Sequence, residues 1–340
     1  MDLQLQALRH SVTDTSTLRR AILCLVSIGA PLLIGTLLDQ RRAGLICALA
    51  GLMLYFADAD GPLRSRLSIL TLCAIGLLAG GLAGHLLNGQ SAFWAAFAVT
   101  AFAAGWSFRS GKAAVLAARA AAMAMAVTGT VAAIEPHEAY YAIGTVGLVA
   151  LFRVADHFIF GPLPQLQPPM GTGPPGHGGW LRFATAYAAA AVAGLWVGVT
   201  LDPVRAVAVA ATSLFVMQPD AQNSYVLVVG RIVGAFTGVV TAYVIAQLFA
   251  APALLCSAAL LVALLIPHHL EDRYWLHTAL IAIFILLASD LAEFGLPATH
   301  ALFAERLQDM LLGCGLALVA TAAAFPHEGR PSSDRGNGPK

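Results

Sequence analysis

Hydrophobic residues fill most of this chain in long runs that are separated by short polar segments. A helix needs about 20 apolar residues to cross the hydrocarbon core of a bilayer, and somewhat fewer suffice where neighbouring helices bury its ends. The pattern therefore predicts twelve transmembrane helices, and the runs 43–57 and 203–218 fit this length least well. The twelve runs lie near residues 19–38, 43–57, 67–88, 91–108, 112–133, 139–160, 181–200, 203–218, 225–250, 252–267, 274–292 and 307–326.

Composition places the chain among integral membrane proteins. Hydrophobic residues make up 59% of its 340 residues, charged residues only 11%, and the mean hydropathy is +0.77, whereas soluble proteins are roughly 45–50% apolar and 25% charged. The net charge of +1 provides no basic face for nucleic acid. The five cysteines lack the spacing of a metal site, and no nucleophile, base and orienting group occur together. We therefore expect no cofactor, no metal and no enzymatic activity.

The distribution of basic residues predicts the orientation of the chain. Basic residues concentrate in the segments that share a side with the N-terminus, and the positive-inside rule assigns that side to the cytoplasm. With an even number of crossings, both termini are cytoplasmic, and we expect a multi-pass protein of a bacterial inner membrane. The predicted cytoplasmic residues are Arg9, Arg19, Arg20, Arg64, Arg66, Arg109, Lys112, Arg182, Arg273, Arg330, Arg335 and Lys340, and the opposite side holds Arg41, Arg42, Arg205 and Arg306.

A proline- and glycine-rich segment divides the chain into two similar halves. Residues 161–180 cannot form a continuous helix because proline removes backbone donors, and we interpret them as a cytoplasmic linker. We expect five units: a cytoplasmic segment 1–18, a six-helix membrane repeat 19–160, the linker 161–180, a second six-helix repeat 181–326, and a polar cytoplasmic tail 327–340. The two halves share residues at an offset of 163, since Leu18-Arg19, Gly35, Leu38-Asp39 and Arg42-Ala43 recur as Leu181-Arg182, Gly198, Leu201-Asp202 and Arg205-Ala206.

This duplication predicts two parallel six-helix repeats, because each half contains an even number of crossings. Glycines at 76, 80 and 84 are echoed by those at 230, 234 and 238, each set on one helical face where small residues permit close helix packing. Repeats of this kind are common in transporters, and their symmetry favours a transport path between two bundles.

Several short motifs resemble the FUSC (fusaric acid resistance-like) family of the aromatic acid exporter superfamily. They are Ala43-Gly44 through Asp58-Ala-Asp60-Gly61-Pro-Leu-Arg64-Ser-Arg66, Arg182-Phe-Ala, Met217-Gln218-Pro219, Arg231-Ile-Val-Gly234-Ala-Phe-Thr-Gly238 and Arg306-Leu-Gln-Asp309-Met-Leu-Leu-Gly313. The resemblance implies an inner-membrane efflux protein for aromatic carboxylates and other weak organic acids. Many bacterial members also carry a cytosolic domain after the helices, whereas only a short polar segment follows Pro326 here. We expect that domain to be missing or supplied by another chain.

Two arginines inside apolar runs are the candidate substrate-binding residues. A charged group at the centre of a bilayer costs about 2.5–3.5 kcal/mol, so each one suggests a functional site. Arg119 lies seven residues past Lys112 in an alanine-rich run and could hold a substrate carboxylate, or its side chain could reach the cytoplasmic headgroups. Arg231 shares a helical face with Gly234 and Gly238. It could contact an anion or bond to the end of a short neighbouring helix.

The other intramembrane ionisable residues form two groups. Arg153, Asp156 and His157 are spaced as i, i+3 and i+4, which predicts an ion pair within one helix and leaves His157 as a proton-relay candidate. Asp290 is the first carboxylate we would assign to proton coupling. Arg306 and Asp309 open the twelfth run and are predicted to form a structural cap, with Asp309 stabilised by a helix N-terminus. Asp290 and His157 are thus the proton-coupling candidates.

These patterns support a secondary transporter that exports small organic anions, and the family resemblance implies that the anions are aromatic carboxylic acids. A channel-like anion conductor and a non-transporting membrane scaffold for an efflux assembly are the alternatives. The expected partners are the lipid bilayer, a small organic anion, and either a periplasmic adaptor protein or a second copy of the chain.

Overall fold

The protein is built from helices that follow one another with short connections. The computed structural model describes residues 15–57, 62–131, 136–162, 176–249, 251–269, 273–292 and 299–325, and no strand occurs among them. We number the helices α1 to α12. Helix α1 has three parts, Thr15–Cys24, Leu25–Gly29 and Ala30–Leu37. The others are α2 Arg41–Phe56, α3 Leu63–Leu87, α4 Ala92–Trp106, α5 Lys112–Thr130, α6 Pro136–Phe160, α7 Gly176–Leu201, α8 Pro203–Val216, α9 Ala221–Leu248, α10 Pro252–Leu265, α11 Tyr274–Ala292 and α12 Thr299–Ala324.

Each of the twelve predicted apolar runs forms a helix. Eight helices in the described part are long and apolar enough to cross a membrane, namely α1, α3, α5, α6, α7, α9, α11 and α12. The other four, α2, α4, α8 and α10, have 14 to 16 residues. The protein is therefore an all-α, multi-pass membrane protein. Twelve complete crossings stay a prediction, because the four short helices fall below the usual spanning length.

Several helices begin earlier than the apolar runs predicted, since their first turns are polar. Helix α7 begins at Gly176, so residues 176–180 belong to a helix and the predicted linker is shorter at this end. The rest of the linker from 163 to 175 lies outside the described residues, as do 1–14 and the tail. Helix α12 begins at Thr299, which places Asp309 in its third turn. The prediction that a helix N-terminus stabilises Asp309 is therefore wrong.

A proline interrupts the first helix near its middle. Pro31 has no backbone N–H to donate to the carbonyl of Ser27, one turn earlier. The preceding residues, Leu25–Gly29, form a π-helical turn, in which the N–H of Ala30 donates to the Leu25 carbonyl. Gly51 of α2 lies directly against the Ser27 carbonyl, where a side chain would overlap it. The widened turn is therefore fixed against α2.

The same helix pairs are in contact in both halves of the chain. In the first half α3 packs on α5, α1 on α2, α4 on α5 and α6 on α2, α3 and α1. In the second half α9 packs on α11, α7 on α8, α10 on α11 and α12 on α8, α9 and α7. Helix α4 also contacts α7 across the halves, as α10 contacts α1, and α5 contacts α8, as α11 contacts α2.

These contacts between the halves create two large hydrophobic cores. One core combines α4 and α5 with α7, α8, α12 and the start of α9. The other combines α1 and α2 with α9, α10 and α11. A smaller cluster joins α2, α3, α5 and α6. The two halves are thus interlocked, and the expectation of a path between two self-contained bundles does not describe this arrangement.

Glycines allow the closest helix pairs to touch through their backbones. A Cβ atom added to Gly80 of α3 would lie 2.7 Å from the carbonyl carbon of Ala121 in α5. At the corresponding position in the second half, a Cβ added to Gly234 would lie 2.8 Å from the Cβ of Thr278 in α11. Real Cβ atoms do not approach other atoms within 3.0 Å. Small residues therefore set the α3–α5 and α9–α11 distances, as the sequence predicted.

Candidate functional site

Arg119 lies where α5 meets α7 and the C-terminal end of α8. Its side chain is only 8% exposed, so the guanidinium group is enclosed by protein. The Nε atom donates to the hydroxyl of Tyr187 at 3.0 Å, and Nη2 donates to the carbonyl of Met217 at 3.2 Å. The Tyr187 hydroxyl in turn donates to the Leu214 carbonyl at 2.5 Å. Arg119 therefore joins the first half of the chain to the second.

Three aromatic rings surround this guanidinium group. The Cζ atom of Arg119 lies 4.9 Å from the ring centre of Phe108, 5.4 Å from that of Phe215 and 5.9 Å from that of Tyr187. Each distance is within the range of a cation–π interaction, which gains strength where water is excluded. Phe108 and Tyr187 also contact each other edge to face. The result is a cation in an aromatic cage, a setting that suits both a carboxylate and an aromatic ring.

The carbonyl that Arg119 binds has a counterpart in the first half. Met217 and Leu54 are equivalent at the offset of 163, and each lies at the C-terminal end of a short helix. Arg153 of α6 donates from Nη2 to the Leu54 carbonyl. A positive charge at this position complements the negative end of the helix dipole and bonds a carbonyl that has no partner within the helix. At the C-terminal ends of both α2 and α8, a backbone carbonyl therefore accepts a hydrogen bond from a buried arginine.

Arg231 has a different environment, ten residues into α9. At 1.5 Å per residue this is roughly 15 Å from the start of the helix, within its apolar span Ser224–Leu248. The side chain is half-buried and lies near Cys314 of α12. Its buried Nε atom has no hydrogen-bond partner, and the side chain makes no ion pair with any residue that the structure describes. The contact with a helix end that we considered for Arg231 is made by Arg119.

Asp156 is bound by two arginines that are distant in the sequence. Arg19 approaches the carboxylate with Nε and Nη2, each 2.9 Å from an oxygen, and Nη1 of Arg66 lies 2.8 Å from Oδ2. Arg19 also donates to the carbonyl of Gly161. Arg66 is fully buried. Asp156 therefore fastens α1 and α3 to α6, in place of the local pair with Arg153 that the spacing predicted.

A second buried carboxylate connects α8 to α12. Asp309 is fully buried, and its Oδ1 accepts from Nε of Arg205 at 2.7 Å. Nη1 of Arg306 lies 3.8 Å from Oδ2, as the i, i+3 spacing predicted. Arg205 also donates to the side chain of Gln308 at 3.1 Å. The structural pair of Arg306 and Asp309 is thus present, with Arg205 as the nearer cation.

The two proton-coupling candidates, Asp290 and His157, take part in none of these ion pairs. Asp290 is half-buried in the last turn of α11 and makes no hydrogen bond with a described residue. His157 is half-buried beside Asp156, and its Nδ1 atom has no hydrogen-bond partner in the described ranges. No group of three His, Cys, Asp or Glu side chains that could hold a metal ion occurs within the described ranges.

Sequence reasoning missed the partners of these charged residues. Tyr187 lay in an apolar run without a distinguishing pattern, and Arg19 and Arg66 were counted only as cytoplasmic charges. One sequence signal pointed to Arg205, because it recurs at the offset of 163 from Arg42. In the structure, Arg42 lies 3.3 Å from Glu138 of α6. Both arginines connect the second helix of a half to the sixth.

The long apolar helices define a multi-pass membrane protein. Residues 185–320 match the family model described as "Fusaric acid resistance protein-like". The match covers part of the second half of the chain, and the resemblance found in the sequence is confirmed for these residues. No curated protein matches the chain at the threshold of the comparison. No solved structure matches it either.

Proposed function

We propose that this protein is a secondary transporter that exports small organic anions, first of all aromatic carboxylates, across a bacterial inner membrane. The observation that carries the proposal is Arg231, a half-buried cation within the apolar span of α9 with no hydrogen bond or ion pair to the described residues. Such a charge is costly without a counter-ion. A carboxylate would supply that counter-ion and accept two parallel N–H bonds from the guanidinium group.

Arg119 supports the aromatic part of this proposal. Its guanidinium group is surrounded by Phe108, Tyr187 and Phe215, so a substrate ring that reached it would meet aromatic faces and edges. Its hydrogen bonds to Tyr187 and Met217 hold it in place before substrate arrives. In this account Arg231 binds the anion within the apolar span of α9 and Arg119 selects for an aromatic group nearer one membrane surface.

The architecture we propose is a pair of parallel six-helix repeats, α1–α6 and α7–α12, that cross the membrane twelve times with both termini in the cytoplasm. Helix lengths support it, because the order long, short, long, short, long, long occurs in both halves. The equivalent helix contacts and the paired glycines support it as well. Because the halves interlock, the proposed path runs along the contacts between them.

Flux of radiolabelled benzoate from proteoliposomes tests the proposal. Removing one charge-assisted hydrogen-bond donor costs about 1.5–3 kcal/mol, so we expect Arg231→Gln to lower flux by about 10-fold to 100-fold. Arg182 is an exposed arginine of α7 without a described partner, and Arg182→Gln is the matched control. Its expected change is less than about two-fold. If the benzoate flux of Arg231→Gln equals that of Arg182→Gln, the main support for an anion path is lost.

A pH gradient separates the transporter from the channel-like alternative. A coupled exporter is accelerated by an inward proton gradient, and Asp290→Asn or His157→Gln abolishes that acceleration if the residue carries the proton. A channel conducts benzoate at the same rate with or without the gradient and generates a current. Benzoate current that is independent of pH would assign the protein to the second class.

A further inference from the structure

A second basic and aromatic cluster lies on the surface where α4 ends and α7 begins. Arg109, in the turn after α4, is exposed, and its Cζ atom lies 4.6 Å from the ring centre of Trp106. The Nη1 atom of Arg109 lies 3.3 Å from Nδ1 of His177, in the first turn of α7. The Trp106 and His177 rings meet edge to face at 5.1 Å. The three side chains therefore form one contiguous surface across the boundary between the two halves.

The hydrogen bonding of this cluster leaves donors directed outward. An arginine only donates, so Nδ1 of His177 accepts in this contact and the ring proton lies on Nε2. Arg109 makes no other hydrogen bond and no ion pair with the described residues. The remaining guanidinium N–H groups and the His177 Nε2–H are thus available to an acceptor. Trp106 holds the guanidinium plane in position, and Phe102 stacks on Trp106 at 6.0 Å.

No acidic residue neutralises this surface from the helices that build it. Residues 92–130, which include α4 and α5, contain no Asp or Glu, and neither do residues 176–201 of α7. The same two segments contain the basic residues Arg109, Lys112, Arg119 and Arg182. The two segments that build the cluster therefore contribute positive charge and no negative charge, and a positive surface attracts anionic groups at the membrane.

The surface above the cluster is apolar, which indicates the nature of the anion. Ala95, Val99 and Ala103 form the outward face of α4, and Val99 is 69% exposed. These residues lead to Trp106 at the end of the same face, where a tryptophan is typical of the interface between hydrocarbon and headgroups. An anion bound at Arg109 and His177 would have acyl chains alongside α4. An anion without acyl chains would make no contact with this apolar face.

We infer that Arg109, His177 and Trp106 form a binding site for the phosphate headgroup of an anionic phospholipid, placed where α4 of the first half meets α7 of the second. The phosphate accepts from Arg109 and from His177 Nε2, and the acyl chains pack against Val99 and Ala103. The lipid thereby holds together two helices whose contact interlocks the halves. This site is separate from Arg119 and Arg231, and it does not depend on what the protein transports.

Native mass spectrometry of the purified protein tests this inference. Wild-type protein should retain phosphatidylglycerol through detergent exchange and should not retain phosphatidylcholine. We expect Arg109→Ala to lower the retained phosphatidylglycerol about five-fold, since a basic residue near the surface contributes about 1 kcal/mol of attraction. Trp106→Leu should lower it by a smaller factor, because the charge stays while its aromatic support is lost.

Arg182→Ala is the matched control, because it removes an exposed arginine of the same helix α7 that has no aromatic or histidine contact. Its expected effect is less than about two-fold. Equal losses in Arg109→Ala and Arg182→Ala would show diffuse attraction only and would overturn the site. Displacement of the lipid by excess inorganic phosphate would assign the site to soluble anions and overturn it too. Arg109→Gln repeats the comparison if the alanine variant does not purify as a folded protein.

Discussion

Adding a single methyl group at Gly80 tests the close backbone contact between α3 and α5. In Gly80→Ala, the new Cβ would lie 2.7 Å from both the carbonyl carbon and the Cα of Ala121, and it would overlap the carbonyl oxygen. These are backbone atoms, which cannot rotate away as a flexible side chain can. Helices α3 and α5 must therefore separate by several tenths of an ångström to reach the 3.0 Å that real Cβ atoms require.

The expected cost follows from the size of this overlap. Adding a methyl group to a well-packed interior destabilises a protein by about 1–3 kcal/mol. For chains of 150–250 residues, 1 kcal/mol corresponds to a Tm change of about 2–4 °C. We therefore expect Gly80→Ala to lower the Tm by about 2–12 °C. Gly234→Ala should lower it by a similar amount, because its Cβ would lie 2.8 Å from the Cβ of Thr278 and would overlap the Trp275 carbonyl.

Gly144 supplies the matched control for these two substitutions. It lies in the middle of α6, is exposed, and has no atom within 4 Å of an added Cβ. Alanine is favoured over glycine in a helix by about 1 kcal/mol, so Gly144→Ala should leave the Tm unchanged or raise it. Thermal unfolding in detergent, followed by circular dichroism, measures all three variants. A Gly80→Ala protein as stable as Gly144→Ala would refute the close α3–α5 contact, and a loss in only one half would refute the equivalence of the two contacts.

Three further substitutions probe the buried polar contacts by the same unfolding assay. Asp156→Asn should lower the free energy of unfolding by about 3–5 kcal/mol, because it leaves two buried guanidinium groups without their carboxylate. Asp290→Asn breaks no described contact and should lower it by less than about 1 kcal/mol. Equal losses would contradict the ion-pair assignment. Arg205→Ala should likewise cost about 3 kcal/mol because the carboxylate it binds is fully buried, and Asp39→Asn, at a carboxylate that is 84% exposed, should cost less than about 1 kcal/mol. Tyr187→Phe keeps the ring but removes two hydrogen bonds of the aromatic cage, so a loss of about 1–3 kcal/mol is expected, and an unchanged Tm would show that the hydroxyl is not required.

The existence of the helices could be predicted because a hydrophobic run long enough to span a bilayer is a local signal. All twelve runs form helices, including the short ones at α2 and α8. The predicted positions of the helix ends were less accurate, because a polar first turn such as that of α12 does not extend the apolar run. The π-helical turn before Pro31 was also missed, although a proline inside an apolar run is the signal that could have found it.

Helix neighbours could not be predicted from this sequence. In a soluble protein the apolar face of a helix identifies its buried side, but here the lipid-facing and protein-facing sides are both apolar. The interlocking of the halves depends on contacts between distant residues such as Arg119 and Tyr187, which are 68 positions apart. Asp156 likewise lies 90 positions from its partner Arg66. Arg119 and Arg231 were found as buried cations, but their surroundings became apparent only in three dimensions.

The parallel orientation of the two halves can be measured with four introduced cysteines. The native cysteines among the described residues are all buried, so they provide a low background. Asp39 and Asp202 are exposed and equivalent at the offset of 163, as are Ser110 and Arg273. With a membrane-impermeant maleimide applied outside intact spheroplasts, cysteines replacing Asp39 and Asp202 should both react, and those replacing Ser110 and Arg273 should react only after the membrane is opened. Labelling of Asp39→Cys and Asp202→Cys from opposite sides would contradict two parallel repeats.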